Sequence, residues 1–452
     1  MTNKENLREI ILDILLEITR EEQYSHLAIR GALEKYQYLP KQDRAFITRV
    51  CEGTVEYMLQ IDYIINRFSK VKVSKMKPVI QNILRSGVYQ LRWMDAVPDS
   101  AVCNEAVKLA QRKGFYSLKG FVNGVLRNIA RNKQSIPFPG KEHPVEFLSV
   151  KYSMPVWLVE KWISELGFEK TEDTLAQFLR ESSTSVYLRG GEKMREETLA
   201  GMKRQGITAK QAPYVNGAYY ISGYNYLPAV EAFQEGRIHV QDVSSMIAGE
   251  AAGFEKDSFV LDLCAAPGGK SLYAADKLCG TGMVESRDLT DRKVALIEEN
   301  IERCRVQNMR AVRSDATVMD KSMIGRADTV IADVPCSGLG VIGRKTDIKY
   351  KTTPQKISEL VKLQRTILSN AVQYIKPGGT LIFSTCTICR EENEENLQWL
   401  LENFELEPES LDPYLCAELH SETTAEGYLQ LLPGVHKTDG FFVARLRKKE
   451  NK

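Results

Sequence analysis

The apolar residues of this 452-residue chain change their period once, and no other feature narrows the possible folds as far. Up to about Asn132 they recur at helical spacing. Leu7, Ile10, Ile11, Ile14, Leu15 and Ile18 form one stripe, and similar segments follow at 43–58, 60–69, 77–92, 99–112 and 118–131. Leu39-Pro40, Val97-Pro98 and Gly114 break them, so the first part reads as a bundle of five to seven helices. From about Phe259 the pattern becomes strand, glycine loop, helix, repeated, with strands expected at 259–263, 282–285, 329–332 and 379–384. Such alternation calls for an open parallel sheet with helices on both faces. An antiparallel pair at 428–432 and 440–446 is expected at one sheet edge.

The length exceeds what one hydrophobic core sustains, so several domains are expected. An all-α domain at 1–135 is followed by a Pro- and Gly-rich linker at 136–144. A small α+β domain at 145–235, with strands at 185–189 and 218–222, leads into an α/β, Rossmann-like domain at 236–452. Charge divides along the same line. Residues 1 to 150 carry 23 basic and 16 acidic side chains, net +7, whereas the rest is net −5. Between Arg67 and Lys141, 15 basic residues face only Asp95, Asp99 and Glu105, which points to a polyanionic partner for that stretch. No apolar run is long enough for a membrane span, and charges in the first turns argue against a signal peptide. The expected compartment is the cytoplasm, where nine cysteines stay reduced, so any special cysteine is a chemical one.

Chemistry is expected first at Asp262-Leu-Cys-Ala-Ala-Pro-Gly-Gly-Lys270-Ser, where a strand gives way to a helix. Adjacent glycines let a ligand approach the backbone, and the helix start offers free amide hydrogens. A phosphate-binding P-loop fails on spacing, because its first glycine would fall on Cys264. Gly338-Leu-Gly-Val-Ile-Gly343 spells a dinucleotide fingerprint, but the charged residues after it lack an apolar helical face. Asp288, at the end of the second strand, is the candidate for ribose hydroxyls, and Asp315, after the third, for an adenine amine. Each is equally a common helix start or surface turn. Cys336 and Cys386 end two further strands, which in a doubly wound sheet border the first. A single strand-end cysteine usually packs in the core; two at the edge that bears a glycine loop imply a site. Cys386-Thr-Ile-Cys389 has no second pair or nearby histidine to complete a zinc site, so no metal is expected. Tyr219, Tyr220, Tyr224 and Tyr226 suit either base stacking or packing.

Segments 262–270, 333–337 and 384–392 resemble the motifs of the bacterial RNA cytosine-5 methyltransferases of the Fmu/Sun type. Residues 236–246 resemble the start of that catalytic domain and 439–444 its final hairpin strand, while 97–110 and 121–129 resemble the helical, RNA-binding NusB fold. The resemblance covers nearly the whole chain. It implies a Rossmann-like S-adenosylmethionine-dependent methyltransferase with a NusB-like domain in front, acting on 16S ribosomal RNA; no obligate protein partner is evident in the sequence. It also implies that Cys264, Ala265, Ala266, Pro267, Gly268, Gly269 and Lys270 wrap the methionine part of the cofactor. Asp288 then takes the ribose, and Asp315 with Asp333 the adenine side and methyl region. Cys386 is implied as nucleophile, Cys336 as the group assisting product release, and Asp333 as the residue orienting the base. The roles of the two cysteines follow from the resemblance alone. A transfer RNA substrate and a non-catalytic, antitermination-like RNA-binding factor are the alternatives.

Overall fold

The computed structural model describes residues 6–21, 23–180 and 183–450. The chain divides into two compact units: residues 1–180 with 342–351, and 181–341 with 352–452.

The first unit is helical. Its helices run Leu7–Arg20, Ser25–Lys35, Lys41–Glu56, Met58–Phe68, Pro78–Trp93, Asp99–Arg112 and Lys119–Asn132, then Pro144–Lys151, Val156–Leu166 and Phe168–Phe178. Asn6 caps the first through the amides of Arg8 and Glu9. The helix Pro78–Trp93 is central and buries residues on all sides, among them Ile80, Leu84, Val88 and Leu91. Tyr89 from this helix lies so close to Gly53 that a Cβ there would fall 2.0 Å from its ring. Ser25–Lys35 was not anticipated, because it buries only Ser25, Ala28 and Ile29 and carries almost no stripe. The boundaries differ from those expected. Ile136, inside the expected linker, is buried in the helical core, and the helices up to Phe178 belong to the same compact unit, so this unit ends at Arg180 rather than at 135.

The second unit holds two sheets. In the smaller, β1 (Thr184–Leu188), β2 (Thr208–Gln211), β3 (Ala218–Ser222) and β4 (Ile238–Val240) lie antiparallel in the order β2-β3-β1-β4. β4 falls beyond the expected start of the catalytic domain at 236, yet it pairs with β1: a third of its register is Tyr187 opposite His239. The larger sheet contains β5 (Phe259–Asp262), β6 (Met283–Asp288), β7 (Met309–Arg313), β8 (Ala327–Asp333), β9 (Ile375–Thr385), β10 (Leu406–Pro408), β11 (Tyr428–Leu431) and β12 (Phe441–Lys448). Its order is β10-β12-β9-β8-β5-β6-β7, with β11 on β12. The pairs from β9 to β7 are parallel, and β12 runs antiparallel to β9. Apolar side chains alternate between faces: Leu261, Val330 and Phe383 pack with Ile367 and Ala371 of the helix Pro354–Tyr374, and Val260, Val284 and Ile331 with Leu272 and Ile297 on the other side. The chain runs outward from β5 to β7, then returns to β8 and β9. Strand order therefore reverses between β5 and β8, and the carboxyl ends of those strands open the crevice where open α/β sheets bind ligands.

Candidate active site at the carboxyl edge of the parallel sheet

β5 ends at Asp262, and the chain turns through residues 263–268 into the helix Gly269–Lys277. Gly268 makes the turn at φ +105°, and the helix starts without a side-chain cap, so its first amides are free for a ligand. Asp262 is buried. One carboxylate oxygen accepts from Ser271 Oγ at 2.7 Å, the other has no partner, and burial pushes the carboxyl up to about 7. Asp288, at the end of β6, holds the loop down: its Oδ2 accepts the Ala266 amide at 3.0 Å, and its Oδ1 accepts the Leu289 amide at 2.7 Å and meets Lys293 Nζ at 2.9 Å. Burial and three neighbouring carboxylates raise the Cys264 thiol far above its ordinary value, so it stays protonated. Asp315 stands apart. It is exposed and its carboxylate accepts from the Thr317 amide and hydroxyl, which lower its pKa. Its backbone nevertheless sits at the same edge, because the amide of Ser314 bonds the Asp288 carbonyl at 3.0 Å.

The next two strands bring the cysteines together. β8 and β9 run parallel with Asp333 opposite Ser384, and three and two residues further on Cys336 Sγ and Cys386 Sγ lie 3.3 Å apart. Both thiols are half-buried. Cys336 is held well above the ordinary thiol pKa, first by its hydrogen bond to Cys386, then by burial and by the charges of Cys386, Glu392 and Asp333. The two sulfurs are within hydrogen-bond distance, and either can be the donor. Asp333 accepts from Lys270 Nζ at 2.7 Å and from Ser384 Oγ at 2.8 Å. The lysine of the glycine loop is thus engaged by β8, with Phe441 beneath it at 5.1 Å.

A buried network that sequence reasoning missed holds both cysteine loops. Glu392 accepts from the Ser337 amide at 2.8 Å, from Gln364 Nε2 at 2.8 Å and from the Ser337 hydroxyl. The same Gln364 nitrogen reaches the carbonyl of Pro335 at 2.9 Å, and Ser337 Oγ lies 2.8 Å from Thr387 Oγ1. Asn393 adds a bond to the carbonyl of Thr387 at 3.0 Å, and the Gly340 amide donates to the carbonyl of Cys386 at 3.1 Å. Each cysteine is therefore flanked by residues tied to one carboxylate. Glu392 closes the motif segment 384–392, but its spacing gives no sign of this role.

Among the described residues no group of three or more His, Cys, Asp or Glu is placed to hold a metal ion, and no helix is long and apolar enough to cross a membrane. Tyr219, Tyr220 and Tyr224 pack against the small domain and its neighbours, and Tyr226 is exposed.

Comparison with known proteins gives a consistent picture. A family model described as 16S rRNA methyltransferase RsmB/F matches residues 252–447, and one for the NusB family matches residues 5–131. The probable ribosomal RNA small subunit methyltransferase B of Bacillus subtilis is 34% identical over 450 residues, covering 99% of each chain. The ribosomal RNA small subunit methyltransferase B of Klebsiella pneumoniae is 28% identical over 455 residues, covering all of both. The crystal structure of PH0851 superposes with a TM-score of 0.79 at 26% identity, covering 98% of each chain.

Proposed function

Because the chain belongs to the RsmB/F family of 16S rRNA methyltransferases, we propose that it methylates C5 of one cytosine in 16S ribosomal RNA through a bond between Cys386 Sγ and C6 of the base. It is an S-adenosylmethionine-dependent ribosomal RNA methyltransferase. The observation that carries the residue roles is the pair of thiols 3.3 Å apart beside the glycine loop.

The residues fit the cofactor. Gly268 and Gly269 present no side chain, and the unpartnered oxygen of Asp262 leaves a buried acceptor under the loop. In this reading Cys264 to Lys270 take the methionine part, Asp288 the ribose, and Asp315 and Asp333 the adenine side and methyl region. S-Adenosylmethionine supplies an electrophilic methyl group at a sulfonium. The chemistry needs no metal ion.

Cytosine C5 is too weak a nucleophile to take a methyl group unaided. Addition of the Cys386 thiolate at C6 makes C5 enamine-like. The proton on Cys336, hydrogen-bonded to the Cys386 sulfur, lowers the cost of that thiolate. Asp333, held by Lys270 Nζ at 2.7 Å, orients the base. Once Cys386 Sγ is bonded to C6 it is no longer anionic, so it no longer favours the proton on Cys336. Cys336 then passes its proton to water and, as a thiolate, takes the proton from C5; the C–H electron pair forms the C5–C6 double bond and the Cys386 sulfur leaves C6 as a thiolate. The NusB-like helices ahead of residue 136 dock RNA and residues 236–452 carry the chemistry, in the cytoplasm and without an obligate protein partner.

The test is methyl transfer from labelled cofactor to small-subunit RNA from cells lacking the protein, followed by mapping of 5-methylcytosine. Label on transfer RNA alone, or on no cytosine, would overturn the proposal. Cys386→Ala is expected to abolish turnover. Cys336→Ala is expected to accumulate a protein–RNA adduct that survives denaturation; the opposite pattern would exchange the two roles.

A further inference from the structure

Fifteen basic residues lie between Arg67 and Lys141, and the structure sorts them into two groups. Arg85, Lys108, Lys113, Lys133 and Lys141 are spent on carboxylates of the same unit, at 2.7 to 3.3 Å. Of the others, Arg67 lies in the last turn of the helix Met58–Phe68, and Lys70, Lys72, Lys75 and Lys77 follow in its connection to the helix Pro78–Trp93. All five are exposed, and among the described residues none forms an ion pair. No Asp or Glu occurs between Asp62 and Asp95, and Asp62 is taken by Arg85.

The connection is fixed rather than loose. Val73 plugs it into the helical core at 2% exposure; its amide donates to Asn66 Oδ1 at 2.8 Å and its carbonyl accepts from Gln81 Nε2 at 2.7 Å. With Val73 and Met76 turned towards the core, the lysines are left outside. At one end the Arg67 guanidinium donates to the hydroxyl of Tyr63 at 2.8 Å, and the Tyr63 ring stacks on the half-exposed Phe138 at 5.9 Å. An ordered row of five cations without a counter-carboxylate repels itself, a cost that a polyanion removes. A row ending on stacked aromatic rings matches a nucleic acid strand, whose phosphates meet the cations and whose unpaired bases meet the rings.

We propose that the 67–77 connection is the docking site for the phosphate backbone of the RNA substrate, with Tyr63 and Phe138 as a ledge for an unpaired base. This rests on RNA being the substrate, and goes beyond it by naming where the strand is held. Binding there is sequence-independent and strongly salt-dependent; the target cytosine is selected elsewhere.

The experiment uses the full chain with Lys70→Gln, Lys72→Gln, Lys75→Gln and Lys77→Gln together, and a second variant with arginine at all four positions. Affinity for a fragment of unmethylated small-subunit RNA is titrated across a salt series, and methyl transfer is measured in parallel. For the glutamine variant the plot of log K against log salt should flatten by about 3, from roughly 0.7 per lost contact on single-stranded RNA. KM for RNA should rise about tenfold or more at moderate salt, with kcat at saturating RNA and cofactor affinity unchanged. The arginine variant should behave as the parent. An unchanged affinity and salt slope overturns the proposal, as does an arginine variant as impaired as the glutamine one, which would mark a structural role. Loss of binding to an acidic protein, with RNA binding intact, overturns it too. If the parent binds RNA through this connection but transfers no methyl group, the docking site stands and the enzymatic reading fails.

Discussion

Cys336 and Glu392 set the behaviour of the site through their neighbours more than through their own chemistry. Cys336 is held above the ordinary thiol pKa by the neighbouring Cys386, by burial and by the carboxylates of Glu392 and Asp333. Glu392 accepts from three donors, two on Ser337 in the loop after β8 and one on Gln364 of the helix Pro354–Tyr374. Glu392→Ala leaves the Ser337 amide without a partner, at about 1–3 kcal/mol when buried, and removes one of two partners from Ser337 Oγ and from Gln364 Nε2. Turnover should fall at least about tenfold and the unfolding temperature should drop, with cofactor affinity little changed. Glu392→Gln, which keeps one carbonyl oxygen, should recover part of both; steady-state kinetics beside a cofactor titration read the split. Asp262 gives a pH signature. Burial raises its carboxyl from 3.8 to about 7 in the folded chain, so the folded state holds this proton where the unfolded chain has lost it. Its contribution is therefore present below about pH 4, declines as pH rises to 7 and is level above. The stability of Asp262→Asn relative to the parent should increase between pH 5 and pH 8, measured by urea unfolding at both. The cysteines and the glycine loop were legible because each ends a strand in an apolar-periodic segment. Glu392 was not, because its role exists only where the β8 and β9 loops meet.

At the scale of elements, the strand, glycine loop and helix from β5 to Lys277 follow from local chemistry. Gly268 takes φ +105°, and the nearest atoms to a Cβ there, on Ile297 and Met309, lie 3.5 and 3.6 Å away. Space is available, so Gly268→Ala suffers from its backbone, at about 1–3 kcal/mol. Calorimetry should show weaker cofactor binding with RNA affinity unchanged, since the distortion is confined to the loop. Strands β5, β8 and β9 could be expected from sequence because parallel strands covered on both faces read as apolar runs. The helix Ser25–Lys35 and strand β4 could not. The helix lacks a stripe, and β4 is three residues long and is defined by a partner about 50 positions earlier.

For the molecule as a whole, the least expected feature is the segment 342–351, which leaves the second unit after the Cys336 loop and belongs to the helical unit. Its sequence is charged and lacks an apolar face, yet Asp347 accepts from the amide and hydroxyl of Ser25 and Lys349 is buried, donating to the carbonyl of Glu56 at 2.8 Å. Burial lowers Lys349 from 10.5 to about 7, with the Glu56 carboxyl opposing, and raises Glu56 from 4.5 to about 7. The folded lysine thus loses its proton below the pH at which the unfolded one does, so its penalty is full below pH 7 and fades towards 10. That of Glu56 grows from pH 4.5 to 7 and is level above, outside the lysine's window. Lys349→Met should stabilise the chain at pH 7 and give little advantage at pH 10, followed by thermal unfolding at both values; an equal gain at both would rule out the titration. The sequence by itself determined the helical and α/β halves, the glycine loop, the two strand-end thiols and the basic stretch, because period, turn chemistry and charge are local properties. Only the tertiary structure decided where the helical unit ends, that a charged segment is buried in it, that one carboxylate holds both cysteine loops, and which of fifteen cations remain unspent. Those depend on which distant groups meet, and burial and ion pairing take their value from the partner.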